Sequence, residues 1–169
     1  MLPFPTSSDC AVDRRAGVLH WRGILRVIAL DSFADGEVVF PLEGVVRSAP
    51  SRYSIQIGWN EHLEAPPDTA WEEVLHQYPW RFLNHQCRPN ARIDGRNLRA
   101  VGMIRRWEEI TFDYETTEWR MAEPFECCCD ACGGRWIRGF EALSLGERRR
   151  RAPFLAPHLR ARLAHGLRD

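Results

Sequence analysis

No lysine occurs among the 169 residues; all 23 basic side chains are arginine. Such a bias reads as the codon usage of a GC-rich genome. The chain also lacks a net charge, since 23 acidic residues balance the 23 basic ones. A dedicated nucleic-acid binder usually carries a basic excess, so nucleic acid is an unexpected partner. No apolar run approaches the roughly 20 residues needed to span a bilayer, which leaves no candidate membrane span. The opening residues, MLPFPTSSDC, have neither the charged start nor the apolar segment of a secretory signal. The expected location is therefore cytoplasmic. Internal repeats and long low-complexity stretches are absent as well.

What is present suits one sizeable core: 169 residues, 44% of them apolar, an ordinary share for a globular chain. Charge is unevenly spread. Five acids (Glu61, Glu64, Asp68, Glu72, Glu73) and no arginine lie between Arg52 and Arg81, whereas nine arginines fall in the last 35 residues. An acidic stretch can attract a cationic peptide, but solvated faces are the simpler reading of both. Residues 18–57 read as short strands, among them Val38–Phe40 after the turn Ala34-Asp35-Gly36, and Tyr53–Ile57, which alternates at period two. Residues 59–70, with Pro66-Pro67, read as a loop, and 70–78 as a short helix. Ala91–Gly95 and Asn97–Val101 flank an Asp-Gly hairpin signal, and Ile110–Tyr114 reads as a strand. Leu155, Leu159 and Leu163, with Leu167 next, recur at helical spacing over 154–167 and predict a core-facing stripe. Periodicity alone thus yields a β-rich chain with a helical tail.

The six cysteines are Cys10, Cys87, Cys127, Cys128, Cys129 and Cys132, four of them within six residues. In a cytosolic chain such a cluster points to metal before disulfides. Cys127, Cys129 and Cys132 are spaced C-x-C-x2-C beside Gly133-Gly134. Thiolate-bound zinc wants four donors in a tetrahedron, so three local cysteines need a distant fourth, for which Cys87 is the best candidate. Cys128 points the other way along an extended loop, although a register shift could recruit it.

The string Arg81-Phe82-Leu-Asn84-His85-Gln-Cys87-Arg-Pro89-Asn90 matches the R-F-x-N-H-x-C-x-P-N motif of SET-domain methyltransferases at every fixed position. Ile110-Thr-Phe-Asp-Tyr114 resembles that family's second signature, and Phe125-Glu-Cys127-Cys-Cys129-Asp-Ala-Cys132 resembles its post-SET cysteine segment. The resemblance covers roughly residues 20–140. It implies a mainly β SET-domain fold, β-clip-like, of short curved sheets with a threaded pseudoknot, a zinc-binding post-SET loop and a C-terminal helix. The implied divisions are a lead-in (1–17), the SET domain (18–120), the post-SET segment (121–140) and a helical tail (141–169).

The resemblance also implies an S-adenosylmethionine-dependent protein-lysine N-methyltransferase acting on a lysine-bearing protein or peptide. Asn84 and His85 would bind the cofactor, His85 mainly through backbone, with Arg81 and Phe82 lining the same pocket and Trp136 and Ile137 covering the adenine. Tyr114 would be the active-site tyrosine. Tyr53 would be a second catalytic and channel tyrosine, and Phe112 a channel residue with room for more than one methyl group. Cys87, Cys127, Cys129 and Cys132 would hold structural zinc. A lysine-free chain cannot methylate its own lysines. The sequence departs from the family in a post-SET gap of two rather than four, in lacking a cysteine-rich pre-SET region, and in placing Ile24-Leu25-Arg26 where a Gly-x-Gly is common. The last departure keeps open a second reading, a catalytically weak or inactive SET-fold module that binds a peptide or partner. The oligomeric state is not legible.

The chemistry needs positioning more than covalent help. Aligning an amine with a methyl donor can supply roughly 7–11 kcal/mol. A lysine, with a reference pKa of about 10.4, must lose its proton, and an apolar tyrosine-lined channel favours the neutral amine. Tyr114 is expected to orient the methyl group through weak C–H···O contacts rather than to act as a base.

Overall fold

The computed structural model describes residues 14–164; Cys10, Leu167 and most of the 1–17 lead-in lie outside them. The chain starts with a hairpin of β1 (Ala16–Trp21) and β2 (Ile24–Ala29), in register from Ala16↔Ala29 to Trp21↔Ile24. Its turn residues Arg22 and Gly23 have φ of 50° and 79°, the left-handed pair of a tight hairpin turn. Gly23 therefore serves the turn.

Next come β3 (Val38–Pro41), β4 (Val45–Arg47), β5 (Ile55–Gly58) and β6 (Glu61–Glu64). Strands β4, β6 and β5 form an antiparallel sheet in that order. The strand expected at Tyr53 begins at Ile55, because Ser51–Ser54 is a turn held by Ser51 N–H donating to Ser54 Oγ at 2.9 Å. The expected loop 59–70 contains β6, reached through Asn60 at φ 57°. Adjacent His62 and Leu63 are both buried, so β6 lacks the alternation that advertises a strand.

The helix α1 (Trp71–Gln77) falls where its pattern predicts. After it, β7 (Asn84–His85) is followed by β8 (Ala91–Asp94) and β9 (Asn97–Ala100). The last two form the predicted hairpin and pair with β3 in the order β3-β9-β8. The expected strand 110–114 shortens to β10 (Thr111–Phe112), since a 3-10 turn begins at Tyr114. β10 runs parallel to β7, with Thr111 opposite Asn84 and Phe112 opposite His85. Asn90 fastens this pair: its Oδ1 accepts from Thr111 N–H at 2.9 Å, and its Nδ2 donates to Glu109 O at 2.8 Å. The two sequence signatures thus lie side by side.

The cysteine segment forms a small hairpin of β11 (Phe125–Glu126) and β12 (Trp136–Ile137). It returns over residues 119–120 at Gly139, where an added Cβ would stand 2.6 Å from Trp119 O; only glycine fits. The tail carries two helices, α2 (Leu145–Arg151) and α3 (Pro157–Ala164), instead of one from 154. α2 begins with a capping box in which Ser144 and Glu147 exchange hydrogen bonds, a Ser-x-x-Glu signature present in the sequence. Leu155 and Leu159 are buried in a second core with Phe140 and Leu143, and Leu163 packs on it. The tail arginines are not all solvated. Arg162 lies 3.9 Å from the Trp59 ring centre and 4.2 Å from that of Trp119, and Arg151 turns inward. The main core joins Val27, Phe33, Leu63, Trp80, Ile93, Leu98 and Ile110 beneath the sheets.

Candidate active site and metal centre

Tyr114 opens the 3-10 turn Tyr114–Thr116, capped by Asp113, whose side chain accepts from Glu115 N–H at 3.1 Å. The tyrosine hydroxyl donates to Leu83 O at 2.6 Å, and its backbone N–H donates to His85 Nδ1 at 3.2 Å. The rings of Phe112, His85 and Phe125 stand 4.8, 5.2 and 5.9 Å from its own. Burial, then the nearby charges of Glu118 and Glu109, push the Tyr114 phenol above its ordinary pKa. The hydroxyl stays protonated at neutral pH, and its oxygen remains a hydrogen-bond acceptor.

Two cavities meet at this residue. A narrow one, of about 50 Å³, is lined by Tyr53, Arg81, Leu83, Phe112, Tyr114 and Glu118 among others. The other, of about 430 Å³, is lined by Ile24, Arg26, Asn84, His85, Glu109, Phe125 and the edge of the cysteine loop, with Tyr114 again in its wall. Its volume lies in the range of small-molecule sites.

The predicted residues divide between these places. Tyr53, Phe112 and Tyr114 share the narrow cavity, and Asn84 and His85 share the larger one. Arg81 lines the narrow cavity, its guanidinium 4.5 Å from the Tyr53 ring centre. Phe82 is buried in the core, edge-on to Trp71 at 5.6 Å. The 3-10 turn Pro79–Phe82 sends these adjacent side chains in different directions. Trp136 is exposed and Ile137 fully buried, and neither lines the larger cavity. Phe125, paired across the small hairpin with Ile137, occupies the wall there. Sequence reasoning missed Phe125, Ile24, Arg26, Glu109 and Glu118. Ile24 and Arg26 carried a signal, by standing where the family often has glycine.

Arg26 Nη1 meets Glu109 Oε2 at 2.5 Å, and Asn84 Nδ2 donates to Glu109 Oε1 at 2.8 Å and to Leu25 O at 3.0 Å. A cation and an anion thus sit together on one side of the larger cavity. On the narrow side, Glu118 is buried at 6% exposure. Its Oε1 accepts from Gln56 N–H at 2.7 Å and from Thr117 Oγ1 at 3.3 Å. Burial raises its pKa to about 7.

The sulfurs of Cys87, Cys127, Cys129 and Cys132 all lie within 4.8 Å of one another, with Cys87–Cys127 at 4.0 Å and Cys129–Cys132 at 3.5 Å. Four thiolates about 2.3 Å from one ion would be about 3.8 Å apart in a tetrahedron, so the cluster could hold a metal ion. The two-residue gap closes without Cys128, which is exposed. Burial pushes the Cys87 thiol up to about 11, so its thiolate form needs a nearby cation.

His85 links this cluster to Tyr114. Its Nδ1 accepts from the Tyr114 backbone, which leaves the proton on Nε2, 3.3 Å from Cys87 Sγ. Burial, then the charges of Arg135 and Arg151, lower its pKa to about 3, so the ring is neutral and can donate to the sulfur. Hydrogen bonds of this kind orient metal ligands. The acids flanking Tyr114 are held in turn. Arg151 Nε donates to Asp113 Oδ2 at 2.6 Å, and its Nη2 to Glu115 Oε2 at 3.3 Å. Arg135, from the cysteine hairpin, also pairs with Glu115.

A family model described as SET domain matches residues 25–115, 91 of the 169 residues, and the chain belongs to that family. Among curated proteins it is similar to the Histone-lysine N-methyltransferase set9 of Schizosaccharomyces pombe, with 31% identity over 122 residues, 69% of this chain. The chain spans 27% of that relative's length. Among solved structures, KRYPTONITE with mCHG DNA and SAH gives a TM-score of 0.49 at 24% identity, covering 66% of this chain and 26% of that one. KRYPTONITE with mCHH DNA, an H3(1-15) peptide and SAH gives 0.48 at 23%, with the same coverage. Among the described residues, no helix is long and apolar enough to cross a membrane.

Proposed function

We propose that the chain is an S-adenosylmethionine-dependent protein-lysine N-methyltransferase. The observation that carries this reading is the place of Tyr114 in the wall between a narrow tyrosine-lined cavity and a larger one of cofactor size. The narrow cavity would admit the target lysine side chain between Tyr53 and Phe112. The larger one would hold the cofactor, with Asn84 and the His85 backbone as its binding groups. Its amino-acid end is a zwitterion, and Arg26 and Glu109 offer the complementary charges. When bound, the sulfonium supplies an electrophilic methyl group and leaves as a neutral thioether. Tyr114 keeps its proton on Leu83 O and presents the phenol oxygen to the reacting carbon. Phe112 gives no hydrogen bond to the amine and so leaves space for repeated methylation.

Four cysteines at these separations suit structural zinc, which would pin the post-SET segment (121–140) to the SET body (18–120), with 141–169 as the supporting tail. The substrate would be a lysine-bearing protein or peptide in the cytoplasm. The test is to incubate the chain and its Tyr114→Phe variant with labelled S-adenosylmethionine and a cell lysate, then to locate the label by mass spectrometry. Label on lysine with wild type and a loss on the order of 10²-fold in Tyr114→Phe support the reading. Equal activity of the two removes Tyr114 from the mechanism.

One observation favours a second reading, a SET-fold binding module without turnover. Asn84 already has both amide protons placed, on Leu25 O and Glu109, so a cofactor must compete for it. Calorimetry with S-adenosylmethionine separates the two, since a module of that kind binds none.

A further inference from the structure

We propose that Glu118 is the proton acceptor for the target lysine: its carboxylate receives the incoming ammonium in the narrow cavity and takes the proton that must leave before methyl transfer. This rests on the methyltransferase reading and extends it to a step that Tyr114 cannot perform, because its phenol is held protonated by burial and by Leu83 O.

The geometry is specific. Glu118 lines the same cavity as Tyr53, Phe112 and Tyr114, four residues beyond Tyr114 in sequence, and is only 6% exposed. Both donors that reach it, Gln56 N–H and Thr117 Oγ1, fall on Oε1. Among the described residues no donor meets Oε2. Oε2 is therefore free to accept from a group that enters the cavity, and a lysine side chain threaded from the mouth brings both a cation and a proton to a carboxylate otherwise removed from water.

The exchange conserves charge. The ammonium N–H bond breaks, an O–H bond forms on Glu118, and a charged pair becomes a neutral amine beside a neutral carboxylic acid. In a desolvated channel the neutral pair is favoured over two poorly solvated ions. The amine lone pair is then free to face the methyl donor, and Glu118 later returns the proton to solvent through the channel mouth. Arg52, Arg81 and Glu123 also line this cavity. Tyr114 shares the turn, His62 comes from β6, and His158 of α3 contacts Thr117 O at 2.7 Å. Burial lowers the pKa of both histidines, so they are neutral where Glu118 titrates, with a pKa raised by burial to about 7.

The test compares wild type with Glu118→Gln, whose amide oxygen can accept the same two hydrogen bonds. The first readout needs no cofactor or substrate. The folded-state pKa of Glu118 lies above the ordinary carboxyl value, so wild type should lose melting temperature as pH rises from about 4.5 to about 7. Glu118→Gln should lose less over that interval. The second readout is the pH profile of label transfer with lysate. Wild-type kcat should rise through about pH 7 as Glu118 ionises, whereas Glu118→Gln should be slower on the order of 10²-fold, with its rise displaced to higher pH and its S-adenosylmethionine affinity unchanged. If wild type labels lysine and Glu118→Gln retains its rate and profile, the assignment of Glu118 is overturned while the methyltransferase reading stands. If wild type labels nothing in any lysate, the reading itself fails and the assignment fails with it.

Discussion

Replacing Arg151 with Met should destabilise the chain by about 3 kcal/mol, because it strips the partner from a carboxylate that cannot return to water. The Arg151 side chain is 11% exposed and bridges Asp113, 4% exposed, and Glu115, 1% exposed. Removing one member of such a buried pair costs about 3–5 kcal/mol. The lower end applies because Arg135 still neutralises Glu115, and Met retains most of the packed length. For a chain of this size that corresponds to a fall in Tm of roughly 6–12 °C. The deficit should depend on pH with a definite sign. Burial already raises the Asp113 pKa while Arg151 opposes it, so the variant raises it further. An acid with a raised folded-state pKa loses stability as pH climbs above its unfolded value. The deficit should therefore be small near pH 4 and full at pH 7. Urea unfolding of both proteins at the two pH values, with m-values compared, measures it. A loss under about 1 kcal/mol at both pH values would mean that the pair behaves as a surface contact, and the buried network would not be holding the Tyr114 turn.

Further outcomes follow from the same site. Protein purified without chelator should carry about one zinc ion per chain, and Cys87→Ser should lower that content and the Tm together; less than about half an ion in wild type would remove the metal reading. Arg26→Ala should weaken S-adenosylmethionine binding about tenfold, the worth of one charge-assisted hydrogen bond, as read by calorimetry. Tighter binding in that variant would instead make the Arg26–Glu109 pair a barrier to the ligand and favour the module reading.

Much of this molecule was legible in one dimension. The 81–90 string, the 110–114 signature and the cysteine spacing named the family, and four of the cysteines meet in space. The 91–101 hairpin and α1 were legible because turn residues and helical periodicity act on near neighbours. β6 was not, since two buried residues in succession break the period, and neither was the split of the tail into α2 and α3, although the Ser144–Glu147 box was present to be read.

Residue types at short spacing thus determined the class of protein and singled out the Cys127–Cys132 segment and Tyr114 as candidates, because covalent neighbours carry those patterns whatever surrounds them. The tertiary structure alone decided which carboxylates are buried and what meets them. Cys87 reaches Cys127 across 40 residues, Arg151 reaches Asp113 across 38, and Gln56 reaches Glu118 across 62. A glutamate's charge, proton affinity and reach into a cavity depend on how much water the packed chain removes from it, and no local stretch of sequence encodes that quantity.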